Sequence, residues 1–155
     1  MPKVDASIEK YSSLLALFAR FFLCMSLFWA ACFNIAGWQV QLAMLTPVAQ
    51  SFAAPILASS IAAEFVLGVA ILIGYMARQI ALLAAVYTLT NACIMHAFWN
   101  AEPGFNSNHA MNFFQSIGVA GGFFLLAAFG AGAYSADEKL KEPAQKTEAT
   151  SEPKV

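Results

Sequence analysis

Four stretches of this sequence, residues 14–36, 55–76, 79–99 and 111–134, are longer and more apolar than a domain folded in water can use. Each holds about 21 to 24 residues, enough to cross a hydrocarbon core of about 30 Å at about 1.5 Å per residue. In lipid every backbone N–H and C=O must be paired without help from water. Helices meet that demand alone, and the apolar–polar alternation of barrel strands is missing. The expected fold is all-α, an integral membrane four-helix bundle. Of the 155 residues, 60% are hydrophobic and 11% charged, against about 25% charged in soluble domains. The net charge is −1 and no basic patch lies away from the chain ends. The lipid bilayer is the expected partner and nucleic acid is not.

The connections divide the chain. Residues 1–13 are polar and read as a cytoplasmic N-terminal segment. Residues 14–137 form the transmembrane domain. Residues 138–155, rich in Glu, Lys, Pro and Thr, cannot bury a core and read as a disordered cytoplasmic tail. The first apolar run reads as a retained span, because it is long enough to cross and carries Arg20. Residues 37–54 are uncharged and interrupted by Pro47; they are expected along the outer interface, in part as a short helix. Ala77 and Arg78 read as a tight turn that sets the second and third spans antiparallel. Residues 100–110, with Pro103 and Gly104, read as an outer loop.

Orientation follows from the basic residues. Lys3, Lys10, Arg20, Arg78, Lys139, Lys141, Lys146 and Lys154 all fall on one side of a four-span chain. Basic residues concentrate on the cytoplasmic side, so both termini are expected there, in a bacterial inner membrane. Trp38 and Trp99 then mark the outer interface, Tyr11 and Tyr134 the inner one. Cys24, Cys32 and Cys93 sit in apolar runs without a C-x-x-C pair and read as buried thiols, with a disulfide open to Cys32 and Cys93, which lie at similar depth near the outer face. Gly118 and Gly122 form a small-x-x-x-small pair, with two uses open to it: packing inside the bundle and a homodimer contact.

Glu64 is the only acid within the four spans. An ionisable group at that depth is costly and marks function by default. Ser60 and Gly68, four residues to either side, make its face small enough to pack on another helix. Counting about 1.5 Å per residue from the outer ends puts Glu64 about 13 Å deep and Asn91 about 12 Å deep. A Glu64–Asn91 contact is therefore expected, with Arg20 and Arg78 too far toward the inner end to pair, and with no cation at that depth desolvation is expected to favour the protonated carboxyl. A second polar layer, Asn34, His96, Asn112 and Gln115, lies above. Asn112, Gln115 and Ser116 share one helix face, and Tyr87, Thr88 and Asn91 share another. Together these residues suggest an outward-opening pocket, with Glu64 as the catalytic, proton-exchanging group and Asn34, Asn91, His96, Asn112 and Gln115 as its walls. No metal-ligand spacing, nucleotide loop or nucleophile elbow is present, so no metal and no intrinsic cofactor are expected.

Several motifs add a resemblance. Arg20 opens the first span and Asn34 to Gly37 closes it; Glu64 precedes Phe-Val-Leu-Gly. Gly74-Tyr-Met-Ala-Arg78 makes the turn, His96-Ala-Phe ends the third span, Met111-Asn112 opens the fourth, and Gly130 to Asp137 closes it. In this order the chain resembles the DoxX family of small four-span bacterial membrane proteins over residues 14–137. Met111 stands where that family usually carries a basic residue. The resemblance implies an accessory subunit of a membrane redox or stress-response complex, with a protein partner carrying any electrons. Its alternative is a quinone- or small-substrate-binding subunit of a thiosulfate:quinone oxidoreductase-like enzyme, with quinone as ligand.

Overall fold

The computed structural model describes residues 2–100 and 106–140, without the side chains of residues 2–10, 100, 106 and 107. Five α-helices follow in order: α1 (Pro2–Ala36), α2 (Trp38–Ala49), α3 (Ala53–Ile73), α4 (Ala77–Met95) and α5 (Asn106–Phe129). Short 3-10 turns occupy Gln50–Phe52 and Phe98–Asn100. Four helical stretches are long and apolar enough to cross a membrane: Tyr11–Ala36, Trp38–Ile73, Ala77–Met95 and Asn108–Phe129. The chain is a four-helix membrane bundle. Large apolar side chains cover its outside, among them Phe22, Trp29, Val66, Leu125 and Phe129, as expected where the solvent is lipid.

Small residues let the helices meet. On α4, Ala77, Ala81, Ala84, Ala85 and Ala92 are all buried. Their i, i+4, i+7, i+8 spacing puts them on one face, and α4 lies along α5. The other close pair is α1 with α3. Gly68 of α3 admits the Phe28 ring of α1: a Cβ there would stand 2.6 Å from that ring. Gly122 of α5 meets Leu23 of α1 in the same way, at 2.9 Å. Gly118 and Gly121 face open space, so only Gly122 of the expected pair packs inside the bundle. The central core joins Cys24, Leu27, Leu67, Ile71, Phe123 and Leu126. Cys32 and Cys93 are free but exposed rather than buried.

The bundle has two distinct ends. At the turn end α3 gives way to α4 across Gly74–Met76, two or three residues earlier than hydropathy suggests. Gly74 caps α3 with φ +70°, and Met76 leads into α4 with φ +45°. Ala77 and Arg78 already belong to α4. The fourth span, α5, stops at Phe129 rather than Tyr134, because Gly130 and Gly132 take φ of +84° and +76°. The chain is helical again at 136–140, so 138–140 are not disordered as expected; the rest of the tail lies outside the described residues. At the cap end α2 folds against the start of α3, burying Leu45 on Ala53 and Leu57 with Trp38 packed beside them. Pro47 does not break this segment but sits in the last turn of α2, where it forfeits a single helical hydrogen bond. The third span ends as a helix at Met95, short of Trp99. Of the expected outer loop, Asn106 onward is already α5, and residues 101–105 lie outside the described residues.

Candidate functional site

Two fully buried charged side chains organise the bundle, Arg20 and Glu64, each with no exposed surface. Arg20 of α1 reaches the turn end. Its guanidinium donates to the Leu72 carbonyl at 3.4 Å and to the Tyr134 carbonyl. Asp137 supplies the opposing charge. The Asp137 carboxylate also accepts the N–H groups of Met76 at 2.7 Å and Ala77 at 2.8 Å. The first N–H groups of a helix have no partner of their own, so Asp137 caps α4 from across 60 residues of chain. Its own N–H returns to the Gly74 carbonyl at 3.1 Å. Gly74 is forced by this closure: a Cβ there would strike the Arg20 guanidinium and stand 2.7 Å from Ser135. These contacts tie α1, α3 and the segment after α5 together, while the buried Nε of Arg20 has no partner among the described residues.

Glu64 lies in the cap half. Its Oε1 accepts the Tyr87 hydroxyl at 2.8 Å, and Asn34 Nδ2 donates to Oε2 at 3.1 Å and Oε1 at 3.3 Å. The expected Glu64–Asn91 contact is not made. Asn91 stands one helical turn beyond Tyr87 on the same face of α4, and the longer tyrosine reaches the carboxylate instead. Asn34, placed one layer higher in the sequence reading, is at the level of Glu64. Among the described residues no basic side chain approaches the carboxylate.

In front of this trio opens a cavity of about 650 Å³, within the range typical of small-molecule sites. Asn34, Glu64, Asn91, His96, Asn112 and Gln115 all line it, together with the predicted face partners Tyr87, Thr88 and Ser116. Glu64 forms the back wall, behind Asn34 and Tyr87. Leu27, Leu45, Leu57, Ile94, Met95 and Val119 supply apolar walls. Several polar groups here are already spent on backbone: Ser26 on Leu23, Ser60 on Leu57, Ser116 on Asn112. The side-chain amides of Asn91, Asn112 and Gln115 make no hydrogen bond among the described residues, and the buried Nδ1 of His96 has no partner. His96 follows the last residue of α4, and its ring lies 6.0 Å from that of His109. Burial first, and then His109, hold its pKa below the usual histidine range, so it is neutral at pH 7.

Gln41 also lines the cavity and is buried, and the sequence reading gave it no role. Its signal was faint: a glutamine four residues before Leu45, the two being the buried positions of α2. No group of three metal-ligating side chains occurs among the described residues.

The sequence profile of the SURF4 family matches residues 2–142, and the chain belongs to that family. This corrects the DoxX resemblance, whose short motifs are loose enough to recur in another family of apolar four-span bundles. Two curated relatives are inner membrane proteins of Escherichia coli K12. YqjF is 42% identical over 79 residues, 51% of this chain and 57% of its own length. YphA is 38% identical over 87 residues, 55% of this chain and 62% of its own length. The match thus spans less than two thirds of either relative. No solved structure matches. With four membrane-crossing helices and these relatives, the protein is a multi-pass inner-membrane protein.

Proposed function

Starting from membership of the SURF4 family, we propose that this chain is an accessory subunit of a membrane complex that holds a small amphiphilic molecule in the cap-half cavity. Glu64 is the proton-exchanging anchor of the polar pole. One observation carries this reading: a fully buried acid is hydrogen-bonded to two side chains that line a cavity with unspent amides. A purely structural carboxyl gains nothing from an adjoining cavity, and polar groups left idle in a membrane interior cost stability. Any proton that Glu64 exchanges passes by Tyr87 or Asn34, because the carboxyl itself has no exposed surface.

The accessory role rests on what the chain contributes, which is a site without a redox-centre or nucleophile motif. A redox-linked version fills the same cavity with a quinone. The unpaired Asn91, Asn112 and Gln115 favour it, since their N–H groups can donate to quinone carbonyls. In this proposal the turn end faces the cytoplasm, with both termini, because the basic residues of the sequence gather there. A phosphatase fused to the C-terminus would then be inactive, and a fluorescent protein fused there would fold and emit.

Solvent extraction of protein purified in mild detergent, followed by mass spectrometry, tests the binding reading. Wild type should carry a near-stoichiometric small molecule that Glu64→Gln lacks. Well-folded wild type that yields neither a quinone nor any other amphiphile would overturn it.

A further inference from the structure

The hydrogen bonds around Glu64 constrain what the cavity can hold. Tyr87 has a single O–H, and it is committed to Glu64 Oε1 at 2.8 Å. Toward the cavity the phenol oxygen can therefore only accept. Asn34 turns its amide nitrogen to both carboxylate oxygens, which leaves its carbonyl oxygen, again an acceptor, without a partner among the described residues. All three contacts run from Asn34 and Tyr87 to the carboxyl, and a cation brought beside it favours its ionised form. Neither lysine nor arginine is among the described residues lining the cavity, and Glu64 is the one acidic residue among them. Trp29 and Phe33 are the aromatic residues at the cavity rim besides Tyr87 and His96. The aliphatic part of the wall comes from Leu27, Leu45, Leu57, Ile94 and Val119.

We infer that this cavity recognises an amphiphile with a hydrogen-bond-donating cationic head, an alkylammonium, seated at Asn34 and Tyr87 with its chain along Leu45, Leu57 and Ile94. The inference rests on the proposed reading of the cavity as a binding site, and it names the ligand class. The ammonium donates to the Asn34 carbonyl and the Tyr87 oxygen, and lies one side chain away from a carboxylate that has no other counter-charge. An anionic head would face Glu64 across the same two dipoles and be repelled. A head group with acceptors alone, such as a quinone, would meet acceptors at this pole and be held only by the amides elsewhere. Glu64 is a positioning residue here: it fixes which atoms Asn34 and Tyr87 present.

The test uses the full chain in lipid nanodiscs and three probes of one chain length, octylammonium, octanol and octanoate, with decylbenzoquinone as a fourth. Binding is read by calorimetry and by the ligand-induced rise in melting temperature. Octylammonium should bind at least about tenfold more tightly than octanol, the margin of one charge-assisted hydrogen bond over a neutral one, and octanoate should not bind. Glu64→Gln should erase the preference for the cation, because its amide can donate as well as accept. Tyr87→Phe, which keeps the ring, should weaken octylammonium by roughly five- to tenfold and leave octanol little changed. This variant decides the matter if Glu64→Gln does not fold. Octanol or the quinone binding as tightly as octylammonium, or a preference that survives in both variants, would overturn the ligand class while leaving the cavity a binding site. No binding of any probe to well-folded wild type would overturn the binding reading, and the ligand class with it.

Discussion

Arg20 and Glu64 are buried to the same degree in the same bundle, and they are put to opposite uses. Arg20 gives its hydrogen bonds to backbone carbonyls at Leu72 and Tyr134 and has Asp137 as its counter-charge. Those acceptors come from the ends of elements, so both bonds form only when α1, α3 and the segment after α5 are all in place. Glu64 is satisfied by Asn34 and Tyr87, which are side chains bordering a cavity. They can be shared with a ligand or rearranged around one. A charge held by backbone closes a structure, whereas a charge held by side chains at a cavity tunes a surface.

This contrast can be broken most forcefully at Arg20. Arg20→Leu removes the cation and leaves the Leu72 and Tyr134 carbonyls unmatched, and it should cost about 2–6 kcal/mol, at about 1–3 kcal/mol for each buried acceptor left without a donor. Thermal unfolding in mild detergent reads the loss. A Tm within a degree or two of wild type would deny the turn end its closing role. Gly74→Ala attacks the same closure through the backbone, combining φ +70° with a collision against Arg20 and Ser135. About 1–2 kcal/mol is expected from the left-handed conformation alone, and more from the collision. Asp137→Asn keeps one acceptor for the α4 N-terminus and should lose about 1 kcal/mol.

A smaller effect belongs to the cap end. The unfolded chain takes up a proton on its histidines near pH 6.5, while folded His96, held lower, resists it. Acid therefore favours unfolding through His96, and stability should fall as pH drops below about 6.5 toward the lower folded value. In His96→Gln that acid limb should flatten in melts taken across pH. The smallest effect is expected from Gly118→Ala: it meets open space, so stability should hold or rise slightly. A clear loss there would reveal a helix–helix contact made by a second copy or a partner.

The sequence made the spans legible because apolarity over about 20 residues has few other meanings in a bilayer. It also made the cavity legible: Tyr87, Thr88 and Asn91 on one helix, and Asn112, Gln115 and Ser116 on another, share faces by spacing alone, and both faces line one space. The partner of Glu64 was not legible. Counting residues gives depth along a helix but neither its rotation nor the reach of a side chain, and so Asn91 stood in for Tyr87. The turn-end closure was hidden for a different reason. Its acceptors are backbone carbonyls, which every residue has, and its geometry depends on left-handed Gly74, Gly130 and Gly132, whose conformations no hydropathy pattern encodes. Gln41 was lost because an uncharged connection read as surface.

The division between a closing charge and a tuning charge is tested most directly by measuring Tm and bound amphiphile together in Glu64→Gln and Arg20→Leu. The account predicts that Glu64→Gln keeps a Tm near wild type and loses its ligand, while Arg20→Leu melts far earlier. Glu64→Gln unfolding as readily as Arg20→Leu, with ligand still bound to the fraction that remains folded, would contradict it and make Glu64 a second structural clasp.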